Sequence, residues 1–262
     1  MHTHCGFSWS KTVPLLLLVA MALPVWSEEA KGDYVAQLKQ QVSYYKTMTG
    51  RFAPMYEPLA RQMVQDYGLK YGVAVDVGGS CGAFSLALAR QTQMKVYCLD
   101  IDVPAMRLCG ILADEAGLTG RVIPIEGDAL HMPLRSNFAD LVFSRGSLPF
   151  WSDQVQGLRE CYRILKPGGV GYVGHGGFGR LLAPAEREKL VKWRLESFAK
   201  SKPEGWRGPG EALPELAPQA GIKHYRPVKE HARGRLLELR TVGDGAALAR
   251  GGAGWRRPGS KP

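Results

Sequence analysis

The sequence predicts an α/β domain whose mostly parallel sheet is closed by a C-terminal antiparallel hairpin, and three observations carry that prediction. Short apolar runs alternate with helical stretches from Val73 onward, the pattern of a parallel sheet with helices on its faces. A glycine-rich turn, AspValGlyGlySerCysGly (76–82), joins the first run to the helical stretch after it. Acidic residues then stand at the ends of the second and third runs, Asp100 and Asp128. A chain of 262 residues with 45% hydrophobic content is long enough for one well-buried domain and too short for two ordinary domains with separate cores.

In chain order, residues 33–69 read as helical around Pro54 and Pro58, a segment able to lid a site. ValAlaValAspVal (73–77) is the first strand and AlaPheSerLeuAlaLeuAlaArg (83–90) the first helix of the sheet domain. LysValTyrCysLeuAsp (95–100) is a second strand, 104–116 a second helix, and ArgValIleProIleGlu (121–126) a third strand. AlaAspLeuValPheSer (139–144) follows as the fourth strand. A helix over 153–165 stops at LysProGlyGly, and ValGlyTyrValGlyHis (170–175) is the fifth strand. A helix over 186–199 and a hairpin of 222–228 with 235–240 complete the domain, assigned to 71–242. Residues 243–262, rich in Gly, Ala, Arg and Pro, read as a disordered basic tail.

The formal charge of +10 is unevenly spread. Residues 180–262 hold 18 of the 34 Lys and Arg but 9 of the 24 Asp and Glu, so residues 1–179 are nearly neutral at 16 against 15. The basic character belongs to the last third and not to the motif-bearing segment, which argues against nucleic acid as the partner. Residues 1–27 carry an apolar run after Lys11 and small residues, Val25 and Ser27, before Glu28. The run reads as a secretory signal peptide or membrane anchor; the competing reading is an internal start such as Met48. Export or membrane association follows from the first, a cytoplasmic location from the second. Cys81, Cys98, Cys109 and Cys161 show no CxxC or metal-type spacing and read as free core thiols, and no metal is expected.

The loop 76–82 allows close backbone approach of a ligand, and the helix behind it presents N–H groups and a positive dipole end. Asp100, at the carboxyl end of its strand, can accept bonds from both hydroxyls of a ribose. Asp102 competes with it but reads as a helix cap before Pro104. In GluGlyAspAla (126–129), Asp128 can accept an adenine amine while the Ala129 N–H meets a ring nitrogen. Three strand ends thus converge on one nucleoside.

These motifs, with PheAlaAspLeuValPheSer (138–144) and ArgIleLeuLysProGlyGly (163–169), resemble a class I S-adenosylmethionine-dependent methyltransferase of the small-molecule, quinone-biosynthesis-like type 11 group. The resemblance runs from about Arg51 to Leu239 and implies a Rossmann-like fold with S-adenosyl-L-methionine as cofactor. It carries Asp76 to the neighbourhood of the cofactor's amine, Gly78 and Gly82 to close backbone contact, Asp100 to the ribose, and Asp128 with Ala129 to the adenine. One departure stands out: the family's loop has Gly where this sequence has Ser80, which fits only with ordinary dihedrals or a side chain turned away.

For the acceptor, a small molecule, the pocket candidates are Ser144, Arg145, Ser147 and Trp151 after the fourth strand, His175 after the fifth, and Tyr44, Tyr45 and Tyr56 from the lid. Arg145 and His175 are favoured for acceptor chemistry, and Ser144 is also placed beside the cofactor. SerArgGlySer (144–147) lacks the AsnProProTyr character of base-modifying relatives, which argues against DNA adenine methylation. Two other readings compete. GlyGlySerCysGly also fits the GxSxG elbow of a secreted serine hydrolase, with Ser80 as nucleophile, His175 or His224 as imidazole and Asp128 or Asp140 as partner; that reading leaves Asp100 and GluGlyAspAla without a role. The other is a cofactor-binding module that retains the fold without turnover.

Overall fold

The apolar runs assemble into a seven-stranded sheet in the order β3-β2-β1-β4-β5-β7-β6. The structure is a computed structural model that describes residues 28–200, 213–228 and 235–242. The expected signal segment, 1–27, and the expected basic tail, 243–262, lie outside the described residues. The strands are β1 (Val73–Val77), β2 (Lys95–Asp100), β3 (Val122–Glu126), β4 (Ala139–Arg145), β5 (Leu165–His175), β6 (Tyr225–Val228) and β7 (Arg235–Arg240). β1 to β5 pair in parallel, and β7 runs antiparallel between β5 and β6. β5 begins at Leu165 rather than Val170 because Leu165 pairs with Ala139 at the start of β4, and LysProGlyGly is the irregularity between that pair and Leu141 with Val170.

Side-chain alternation divides each strand between two cores. Ala74, Val96, Cys98, Leu141, Phe143 and Tyr172 face one side, which is covered by α2 (Ala53–Tyr67), α3 (Ala83–Gln91) and α4 (Val103–Glu115). Val75, Val77, Leu99, Val142 and Val173 face the other, covered by α5 (Gln154–Arg163) and α7 (Leu213–Gln219). A sheet buried on both faces explains why these strands read as continuous apolar runs. Asp102 and Asp153 cap α4 and α5, accepting from the amides of Ala105 and Gln156.

The segment read as one helical lid is three pieces: α1 (Glu28–Gln41), a π-helical turn Thr47–Arg51, and α2. Met55, Leu59 and Met63 of α2 are fully buried in the core, so this half is a structural layer. The stretch Ser43–Phe52 borders the site. α6 (Pro184–Lys200) packs Leu190 into the same core.

The glycine loop is aimed by α3, and α3 is held to the sheet by aromatic stacking. Phe84 lies 3.6 Å from Phe143, nearly parallel, and Phe143 stacks in turn toward Tyr172 at 5.9 Å. Phe143→Ala removes this buried ring, and we expect a loss of about 3–5 kcal/mol of unfolding free energy. Chemical denaturation of Phe143→Ala beside Phe143→Leu checks it; equal, small losses in both would show that the stack does not hold the helix.

Candidate active site

The carboxyl ends of β1 through β5 open into one cavity of about 730 Å³, bordered by Gly78, Asp100, Asp128, Arg145 and His175. Each of these residues ends a strand or closely follows one. A crevice at this edge of a parallel sheet, where the strand order reverses between β1 and β4, is where α/β folds bind ligands.

At the β2 end, Asp100 is tied to the glycine loop. Its Oδ2 accepts the Ser80 N–H at 2.8 Å and its Oδ1 accepts the Asp102 N–H at 3.0 Å. Burial raises its pKa, and the amides of Asp102 and Ser80 pull it back. Each oxygen can still accept a second donor from the cavity. Asp128 Oδ1 accepts the Leu130 N–H at 2.9 Å, shaping the turn after β3 in which Gly127, Asp128, Ala129 and Leu130 all border the cavity.

Ser80 has φ +49°, so the expectation of ordinary dihedrals is not met. The serine adopts the left-handed conformation that glycine takes without penalty, and it borders the cavity. Gly78, at φ +70°, could not carry a side chain: a Cβ there would overlap Ser147. Ser147 is itself held in a small network, its Oγ 3.1 Å from Ser144 Oγ and accepting the Trp151 Nε1–H at 3.0 Å.

Three of the sequence-derived residues lie behind the wall rather than on it. Asp76 is 4% exposed and accepts the Ser85 hydroxyl at 2.7 Å; it braces α3 from beneath the loop. Gly82 caps α3 at φ +80°, and a Cβ would come within 2.5 Å of Cys109 Sγ, so packing on α4 requires this glycine. Ser144 is fully buried and reaches the cavity only through Ser147. Cys81, Cys98, Cys109 and Cys161 are buried free thiols.

At the β4 and β5 end the wall turns basic and aromatic. Arg145 donates from Nε to the Gly177 carbonyl at 2.5 Å, and its guanidinium lies 5.0 Å from the Phe52 ring and 5.1 Å from that of Phe178. Each such cation–π contact contributes roughly 0.5–2 kcal/mol. His175 is pushed down to about 3, first by burial and then by Arg194 and Arg145, so its imidazole is neutral. Tyr44 and Tyr56 border the cavity; Tyr45 packs against the core instead. Trp193, Arg194 and Ser197 of α6 complete this end. None of the three stands in a family motif, but their spacing puts them on one helix face beside buried Leu190, a signal the sequence does contain.

The hydrolase constellation loses one of its two candidate acids. Asp140 lies at the opposite end of the sheet, accepting the Val73 N–H at 2.8 Å and Lys166 Nζ at 2.6 Å. Ser80 engages its neighbours through its backbone, N–H to Asp100 and carbonyl from Cys98 Sγ. Among the described residues no group of His, Cys, Asp and Glu is arranged to hold a metal, and no helix is long and apolar enough to cross a membrane.

Strand order, reversed β7 and a strand-end cavity together define the class I methyltransferase architecture. Residues 75–173 match the family model described as a methyltransferase domain. A spinach chloroplast 2-methyl-6-phytyl-1,4-hydroquinone methyltransferase is 35% identical over 97 residues, 37% of this chain and 27% of that enzyme. Its similarity thus spans about a quarter of the relative's length. A dimethylglycine N-methyltransferase from Parasynechococcus marenigrum is 27% identical over 181 residues, 65% of this chain and 62% of that enzyme. Among solved structures, a Methanococcus maripaludis protein assigned as an S-adenosyl-L-methionine-dependent methyltransferase has a TM-score of 0.65 at 27% identity, covering 79% of this chain and 93% of that one.

Two expected outcomes follow from the loop. Ser80→Gly relieves a left-handed serine costing roughly 1–2 kcal/mol and gives back about 0.4–1 kcal/mol in unfolded-chain entropy. The net gain should raise the melting temperature by about 2 °C, and a fall would show the serine to be unstrained. Asp76 is pushed up to about 7, mainly by burial. Native protein therefore holds a proton that the unfolded chain releases near pH ~4, and stability falls as pH rises from there to about 7. Asp76→Asn should flatten this part of the stability–pH curve; an unchanged slope would contradict the assignment.

Proposed function

We propose that the protein transfers a methyl group from S-adenosyl-L-methionine to a small-molecule acceptor. The convergence of five strand ends on one cavity carries the reading, because it sets a nucleoside-binding end and an acceptor end side by side. The volume suits small-molecule binding. The residues fit the cofactor: Asp100 can accept the two ribose hydroxyls on lone pairs its amide donors do not use, and Asp128 can accept the adenine amine beside the Ala129 N–H. Gly78 gives the backbone an edge without a side chain, while Asp76, Gly82 and Ser144 fix that edge from behind.

When bound, the cofactor supplies a methyl group activated by a positively charged sulfur. The chain's own part is to align the acceptor and exclude water. Phe52, Tyr56, Phe150 and Trp193 give the acceptor end apolar walls, and Ser43–Phe52 covers it. His175, neutral and with its proton affinity depressed, is suited to orienting a polar group by hydrogen bonding and is a poor proton acceptor near neutral pH. The relatives' hydroquinone and dimethylglycine acceptors agree with a small molecule. We further propose that residues 1–27 export or anchor this domain.

Calorimetric titration with S-adenosylhomocysteine tests the reading. The wild type should bind saturably, and Asp100→Ala should weaken binding by 100-fold or more, the scale of two lost hydrogen bonds to a charged group at about 1.5–3 kcal/mol each. Absence of binding, with fluorophosphonate labelling of Ser80, would overturn it in favour of the hydrolase.

A further inference from the structure

Within the proposed methyltransferase, we infer that the cavity wall formed by Arg145 and Arg194 is an anion subsite, and that the methyl acceptor is a small acid with a flat, apolar body. The inference rests on that reading of the cavity and adds the chemical class of the acceptor.

Charge along the cavity is set by strand order. The wall acids Asp100, Asp102 and Asp128 follow β2 and β3; Arg145 ends β4, and Arg194 reaches the cavity from α6 beside His175, which ends β5. Adjacent strands stand about 4.8 Å apart, so the basic wall lies about 10 Å or more from the Asp100 end. That places it past the glycine loop, on the side an acceptor would occupy.

Both guanidiniums are fixed in place. Arg145 is held between the Phe52 and Phe178 rings and by the Gly177 carbonyl. Arg194 donates from a terminal nitrogen to the Gly176 carbonyl at 2.7 Å and lies 5.7 Å from the Phe178 ring. A cation so anchored has already lost much of its side-chain freedom, which lowers the entropic cost of binding an anion. The planar fork of a guanidinium matches a carboxylate in shape.

Charge placement points the same way. The three wall carboxylates, Asp100, Asp102 and Asp128, stand at the β2 and β3 end, while the two arginines stand at the β4 and β5 end, where low dielectric strengthens the attraction between a guanidinium and an acidic acceptor. The depressed proton affinity of His175, due first to burial and then to Arg194 and Arg145, agrees with a positive potential there. The body of the acceptor is specified by rings: Phe52 meets Trp193 edge-on at 5.3 Å, and Tyr44 meets Phe150 at 6.3 Å. These walls favour a planar guest.

The test is calorimetry on protein saturated with S-adenosylhomocysteine, titrated with benzoate against benzamide and indole-3-acetate against indole-3-acetamide. We expect at least one acid to bind tenfold or more tightly than its amide, and Arg194→Gln to remove that preference while leaving S-adenosylhomocysteine affinity within twofold. Equal affinity of acid and amide in both pairs, or no binding of either acid, overturns the inference in the wild type alone. A parallel loss of S-adenosylhomocysteine affinity in Arg194→Gln also overturns it, by assigning the arginine to the cofactor's carboxylate. If S-adenosylhomocysteine fails to bind the wild type at all, the methyltransferase reading itself fails.

Discussion

The site depends on one carboxylate. Asp100 stands at the end of β2 and holds the Ser80 N–H with one oxygen and the Asp102 N–H with the other, so it fixes the glycine loop and the start of α4 together. Ser80 is kept in a left-handed conformation that a free serine avoids, and the charge-assisted bond to Asp100 offsets that cost. Behind the loop, Asp76 grips Ser85, and Gly82 seats against Cys109. The loop is thus pinned from the sheet and from two helices, and its cavity-facing edge is preformed.

That arrangement separates two jobs which the sequence pattern blends. Asp76, Gly78, Gly82 and Asp100 belong to motifs of similar appearance, yet Gly78 and Asp100 face the cavity while Asp76 and Gly82 face helices. The period-two alternation of β1 already holds the reason: Asp76 shares its face with Ala74, on the side covered by α2 and α3. Gly82 differs from Gly78 because α4 crosses beneath it, a contact between segments that no local motif encodes.

The strands were legible because a sheet buried on both faces leaves continuous apolar runs, and the order of motifs distinguished parallel strands from the closing hairpin. The start of β5 was not, since LysProGlyGly reads as a terminator although Leu165 before it already pairs with Ala139 of β4. The lid segment was legible as helix but not as core, because the burial of Met55 and Met63 depends on α3 lying across them. Arg194 reads as part of one helix face, but its place at the cavity is not legible in the sequence, for the same physical reason. A charged residue on an amphipathic helix looks solvated until the tertiary fold turns that face toward a cavity.

Strand order also distributes charge, with acids on one side of β1 and arginines on the other, which gives the cavity an orientation before any ligand enters. The most direct measurement is a crystal structure with S-adenosylhomocysteine bound. The ribose hydroxyls should lie on Asp100, the adenine beside Asp128 and Ala129, and the sulfur should face the Arg145 end. A nucleoside bound elsewhere, or lying with its base toward Arg145, would contradict this placement.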